Sequence, residues 1–190
     1  MKQKPNAWVV VIVMLTIHAV VIAGVEVRSE FEKTFDFTQV RTWGWNPKGR
    51  GDVRMARTPE DNPEAMQQRA EPIIVEAVTT ELTKRKLQES PGQPDVFVTY
   101  YLLLTTGYTD QSVGQFLPAT TAWALPPFGP ATQSLEFMDR GSLVIDFSAR
   151  NEVVWRGVAR AKIKVDVDRQ RRETLLRESV RDLLKRFPPR

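Results

Sequence analysis

The chain contains no cysteine and a single histidine, His18. Zero cysteine excludes disulfides, thiolate metal sites, a cysteine nucleophile and lipidation of an N-terminal cysteine. His18 stands in the leading segment, so residues 25–190 hold neither residue type. That removes Ser-His-Asp and Cys-His catalysis, His-ligated zinc and an unperturbed proton switch near pH 7. Carboxylate, lysine or tyrosine chemistry is what an enzyme would have left, and the reading is of a domain that is not an enzyme and carries no cofactor or metal. Charge of one sign is also scarce: 27 Lys and Arg stand against 23 Asp and Glu, a net +4. At 190 residues, 42 % hydrophobic and 26 % charged, the composition is that of one folded domain.

The first residues read as a targeting segment. Lys2 and Lys4 precede an apolar run from Ala7 to Ala23 in which Thr16 and His18 are the polar members. Residues 1–24 are expected to be a signal peptide or, since the run reaches the lower limit of a spanning helix, an N-terminal membrane anchor. A retained anchor would leave Lys2 and Lys4 in the cytoplasm and the domain outside. Cleavage near Ala23 or Gly24 would remove both lysines from the net charge.

Hydrophobic period organises residues 25–190. Val25, Val27, Phe31, Phe35 and Phe37 alternate with charged residues, as in a strand entering the domain; Thr42 to Trp45 reads as a second. Lys48 to Asp61 has the composition of a loop. Asn62 offers an N-cap with Pro63 at the first helical position, and Pro72 predicts a kink or a restart, with the firm helix from about Glu71 to Gln88. Asp95–Thr106 is apolar on both faces, like a central strand. Gly141–Ser148 and Val153–Val165 form a hairpin around Ala149–Glu152, the second arm placing Trp155, Gly157, Ala159 and Ala161 on a covered face. Arg156, Arg160, Lys162 and Lys164 are expected on a wet face. Asp168 caps a last helix carrying Leu176, Val180, Leu183 and Phe187. The expected fold is α+β, a two-layer sandwich with a mainly antiparallel sheet and two helices on one face.

Several short runs then fall into a familiar order. Asp36-Phe37-Thr38 and Thr42-Trp43-Gly44-Trp45 are followed by Pro94 to Tyr100, Gly141 to Asp146, Val153 to Gly157 and Phe187-Pro188-Pro189. This resembles the bacterial domain-of-unknown-function family 4136 over nearly all of residues 25–190. The resemblance implies an exported domain, commonly a lipoprotein of the Gram-negative envelope, with no established activity. One departure matters: Ile22-Ala23-Gly24-Val25 is similar to a lipobox with Val25 where the acylated cysteine would stand. The expected location is therefore the periplasm, or the inner membrane facing it.

Candidate sites compete with structural roles. The basic residues from Arg156 to Arg172 are interleaved farther on with Glu173, Glu178 and Asp182, so they read as a solvated surface and no nucleic-acid partner is expected. Asp166 and Asp168 read as helix capping, and Trp155 with Gly157 as packing. The connection from Gly107 to Arg140 resists such reduction. Between Val96 and Leu135 the sole charge is Asp110. Two readings stand: a hairpin folded over the domain's own core, or an apolar contact surface formed by Phe116, Leu117, Trp123, Leu125 and Phe128 for an envelope protein or a membrane. The function expected is an exported, non-enzymatic binding or scaffolding module. The alternative is a small-molecule or lipid-binding protein, or a carboxylate-based hydrolase, with a pocket between helices and sheet.

Overall fold

A computed structural model of the chain describes residues 25–55, 62–104, 126, 141–160 and 168–188. The expected signal peptide or membrane anchor, residues 1–24, and all of the connection except Pro126 lie outside them. The elements run β1 (Glu26–Phe31), a 3-10 turn (Phe37–Gln39), β2 (Thr42–Trp45), β3 (Gly51–Met55), α1 (Pro63–Lys84), β4 (Gln88–Glu89), β5 (Val96–Leu104), β6 (Ser142–Ala149), β7 (Glu152–Arg160) and α2 (Arg169–Leu184). The strands form one sheet in the order β1-β7-β6-β5-β2-β4, with β3 also on β5. β1, β7, β6 and β5 are antiparallel. β2 and β3 lie along successive stretches of β5 and parallel to it, and β4 is parallel to β2. The α+β architecture holds, with a sheet more mixed than the alternating pattern implied. Among the described residues no helix is long and apolar enough to cross a membrane.

The two helices cover one face. Ala70, Ile74, Ala77, Val78 and Leu82 of α1 and Val180, Leu183 and Leu184 of α2 are buried against Val98, Tyr100, Ile145, Phe147 and Trp155. Asn62 caps α1 through the Ala65 N–H (3.0 Å), and Asp168 caps α2 through the Arg171 N–H (2.8 Å). Pro72 does not interrupt α1. It is itself exposed, and the helix runs on from Pro63 to Lys84 with its buried stripe, Ala70 to Leu82, passing Pro72 on another side.

An aromatic ladder closes the core beside α2. Trp155 meets Phe147 at 5.4 Å, Phe187 lies 4.3 Å from Phe147 and 5.8 Å from Phe37, and Phe37 reaches Phe31 at 5.9 Å. Gly157 permits this packing, because a Cβ there would stand 2.3 Å from the Trp155 ring and 2.8 Å from Leu183. The stretch expected as a loop contains β3. Val53 is buried, and Gly51 lies under the Tyr100 ring with no room for a Cβ.

The wet face expected on β7 is a correction. Arg156 is 1 % exposed and the Arg160 side chain 11 %; Lys162 and Lys164 lie outside the described residues. On the same side of the sheet Val144, Val158, Tyr101 and Leu103 are also buried. Polar alternation marks that face, but burial of the surrounding apolar residues makes it a second interior.

Candidate functional site

The second face carries a row of polar side chains across four strands. Register places Glu30 of β1 opposite Arg156 of β7, Arg156 opposite Asp146 of β6, and Asp146 opposite Thr99 of β5. The Thr99 hydroxyl accepts from the Asn46 amide (3.2 Å) just beyond β2. Cross-strand neighbours on one face approach closely enough to interact, so strand pairing alone assembles the row.

Its centre is a fork-to-fork ion pair. Arg156 donates from Nε to Asp146 Oδ1 at 2.7 Å and from Nη2 to Oδ2 at 2.6 Å. Both side chains are almost entirely removed from water, at 0 % and 3 % exposure. Burial pushes the Asp146 carboxyl above its ordinary range, and the guanidinium opposes this shift. Desolvation likewise raises Glu30, with Arg156 pulling the other way. Tyr101 is raised by burial and then by the Asp146 charge, while Arg54 stacks 5.2 Å over its ring.

Arg156 Nη2 also donates to the Pro126 carbonyl at 3.0 Å. Pro126 is the one described residue of the Gly107–Arg140 connection, so the connection touches the sheet at the ion pair. Phe116, Leu117, Trp123, Leu125 and Phe128, the expected contact residues, lie outside the described residues. A bidentate guanidinium–carboxylate pair bonded to a backbone carbonyl is an anchoring device. Among the described residues no group of three or more His, Asp and Glu is placed to hold a metal ion.

The space between helices and sheet, where the alternative reading put a pocket, is filled: Ile74, Val78, Leu82, Trp155, Leu183 and Leu184 are fully buried there. An open groove of about 440 Å³ lies instead along α1, lined by Glu64, Gln67, Gln68, Glu71 and Pro72. Beneath it the Tyr100 hydroxyl donates to Glu71 at 3.0 Å; burial, followed by that carboxylate, raises the hydroxyl's pKa.

The short runs quoted from the sequence are also structural. Asp95 Oδ2 accepts from the Arg41 and Thr42 N–H groups, both at 2.8 Å, and from the Thr42 hydroxyl, clamping the start of β2. Asp36 caps the 3-10 turn and Phe37 enters the core. Residues 27–189 match the family described as "Domain of unknown function (DUF4136)". The chain belongs to that family. A DUF4136 family protein from Bacteroides thetaiotaomicron has the same fold, with a TM-score of 0.53 at 14 % identity over 85 % of this chain and 94 % of that one. A PDZ domain protein from Parabacteroides distasonis gives 0.51 at 13 % identity over 86 % of this chain and 35 % of the other, so this chain spans about a third of its length. At these identities the likeness concerns the fold. No curated protein matches the sequence.

Sequence reasoning missed the Asp146–Arg156 pair in this DUF4136 domain. The available signal was a lone carboxylate inside the apolar run Ser142-Leu-Val-Ile-Asp146-Phe, since a charge within a central strand requires a partner.

Proposed function

We propose that this DUF4136 domain is an exported cell-envelope module that binds or scaffolds a partner and is not an enzyme. The basic start and apolar run of residues 1–24 support export into the periplasm, or retention in the inner membrane facing it. The observation that carries the binding reading is the bond from Arg156 to Pro126. A nearly uncharged connection is tied to the sheet by a buried ion pair, whose guanidinium is spent on Asp146 and on the Pro126 carbonyl. In this reading the anchored connection presents Trp123 and Phe128, with Phe116, Leu117 and Leu125, to an envelope protein or a membrane surface.

The test pairs capture from envelope extracts with stability. Trp123→Ala combined with Phe128→Ala is expected to leave the unfolding midpoint nearly unchanged and to abolish co-purification of the partner. A clear drop in midpoint with capture retained would return these residues to the domain's own core. N-terminal sequencing of the fractionated protein checks export; a cytoplasmic product with an intact start would refute it.

A further inference from the structure

β1 ends the sheet, and among the described residues no strand pairs with its outer edge. One bond sets the direction of its backbone groups: the Glu32 N–H donates across to the Val154 carbonyl at 2.8 Å. In an antiparallel pair the N–H and C=O of a residue point to the same side, and successive residues alternate. Arg28 and Glu30 are thus turned toward β7, whereas Val27, Ser29 and Phe31 direct their backbone groups outward. Side chains alternate in the same step. Val27 packs on the helix-side core and Phe31 meets the Phe37 ring on that side. Arg28 and Glu30 project from the opposite face, where Glu30 stands across from Arg156. Phe31 is 51 % exposed, a large apolar side chain left in water at the free edge.

We propose that β1 pairs antiparallel with β1 of a second copy about a two-fold axis at Ser29, joining two sheets edge to edge. The segment Val27-Arg-Ser-Glu-Phe31 is self-complementary in that register; at its ends Glu26 falls opposite Glu32 of the second copy, and Glu26 is already compensated by Arg28 (2.8 Å) and Arg160 (3.5 Å) of its own chain. Arg28 falls opposite Glu30 of the second copy and Glu30 opposite its Arg28, on one face. Val27 falls opposite Phe31, and Phe31 opposite Val27, on the other. The outward N–H and C=O groups of Val27, Ser29 and Phe31 then exchange bonds with Phe31, Ser29 and Val27 of the second copy. Neighbouring registers fail on charge or coverage. An axis at Arg28 sets Arg28 against Arg28 and Glu26 against Glu30; one at Glu30 sets Glu30 against Glu30. An axis at Val27 pairs Glu26 with Arg28 and leaves Phe31 uncovered.

The surroundings of Val27 fit the incoming ring. Val25, Val27, Asp182, Lys185 and Arg186 line an open groove of about 340 Å³ beside β1. Phe31 of the second copy arrives there, where the stems of Lys185 and Arg186 can cover an aromatic side chain. Charges on an edge strand usually discourage pairing; these have alternating sign and attract a rotated copy. A two-fold axis makes the contact isologous, so it closes at two copies.

The absence of cysteine makes the test direct. Ser29→Cys would be the only thiol of the full chain, and hydrogen-bonded residues facing each other across antiparallel strands have Cα atoms about 5.5 Å apart, within disulfide range. Mild oxidation of cells producing the variant is expected to give a species of twice the monomer mass on a non-reducing gel. Gly92→Cys, in an exposed turn with nothing within 4 Å of its would-be Cβ, is expected to stay monomeric and controls for collision. Adding Arg28→Glu, at a side chain 51 % exposed, is expected to weaken the Ser29→Cys dimer about tenfold. The proposal is overturned by a Ser29→Cys variant that stays monomeric or cross-links to a chain of another mass. Cross-linking unaffected by Arg28→Glu, or stronger for Val27→Cys than for Ser29→Cys, overturns it equally.

Discussion

Replacing Arg156 by methionine would strand Asp146 in the interior. The carboxylate loses both guanidinium bonds, at 2.7 Å and 2.6 Å, and the Pro126 carbonyl loses its donor. Removing one partner of a buried pair costs about 3–5 kcal/mol, because the remaining charge is neither solvated nor compensated. Against a domain stability of about 5–15 kcal/mol, the variant should still have a measurable unfolding transition. The double change Asp146→Leu with Arg156→Met removes both charges and should cost under about 1 kcal/mol, or stabilise the domain, since burying two ions was itself expensive. Urea denaturation reads both effects through the midpoint at unchanged slope. The single variant also carries a pH signature. Burial already raises the Asp146 carboxyl, and loss of the opposing cation raises it further. A carboxyl whose folded pKa lies above its unfolded value is penalised where it is ionised, so the deficit of Arg156→Met should shrink as pH falls through the raised value. A single variant within about 1 kcal/mol of the parent, or a double variant as damaging as the two singles summed, would refute the view of this pair as a buried, mutually dependent unit.

Two further expectations concern the fold. Trp155→Ala should cost about 3–5 kcal/mol by emptying the site between Phe147 and Phe187, and Gly157→Ala about 1–3 kcal/mol by forcing a Cβ into that ring and Leu183; losses below about 0.5 kcal/mol in chemical denaturation would place the helix face wrongly. Asp95→Ala should cost about 1 kcal/mol near neutral pH by releasing the start of β2. Bonds from the Arg41 and Thr42 N–H groups hold the Asp95 carboxyl below 3.8, so its contribution is complete above that value and lost as pH falls through the depressed folded pKa. A gap between parent and variant that stays constant from pH 6 to about pH 2 would contradict this.

Local chemistry explains how much of the fold was legible. Asn62 and Asp168 cap helices because their side chains accept N–H groups of the first turn, a relation confined to neighbouring residues. The turn after β6 was legible for the same reason: Arg150 and Asn151 adopt φ of 52° and 67°, the left-handed pair that a tight hairpin needs. Trp155 and Gly157 were placed on the helix side by alternation alone. Pro72 does not restart the helix; a proline within a run is read from sequence without knowing which side of the helix it occupies. β3 was hidden because a short strand parallel to β5 is created by its neighbour, and polar residues flank its single buried valine.

The candidate site depended on information the chain does not hold locally. Counting back from the turn pairs Ala149 with Glu152 and Ser148 with Val153, which would set Asp146 opposite Trp155. An irregularity between Phe147 and Ser148 shifts the register by one residue, so Phe147 meets Trp155 and Asp146 meets Arg156. The amino-acid sequence by itself determined the α+β class, the helix starts, the hairpin, the helix-side face of β7 and the exclusion of histidine and cysteine chemistry from residues 25–190. The tertiary structure alone decided that the other face is also interior, that Arg156 is locked to Asp146 and Pro126, and that β1 is an edge among the described strands. Propensity and periodicity act over a few residues, whereas register, burial of a second face and edge position arise when strands distant in the chain meet.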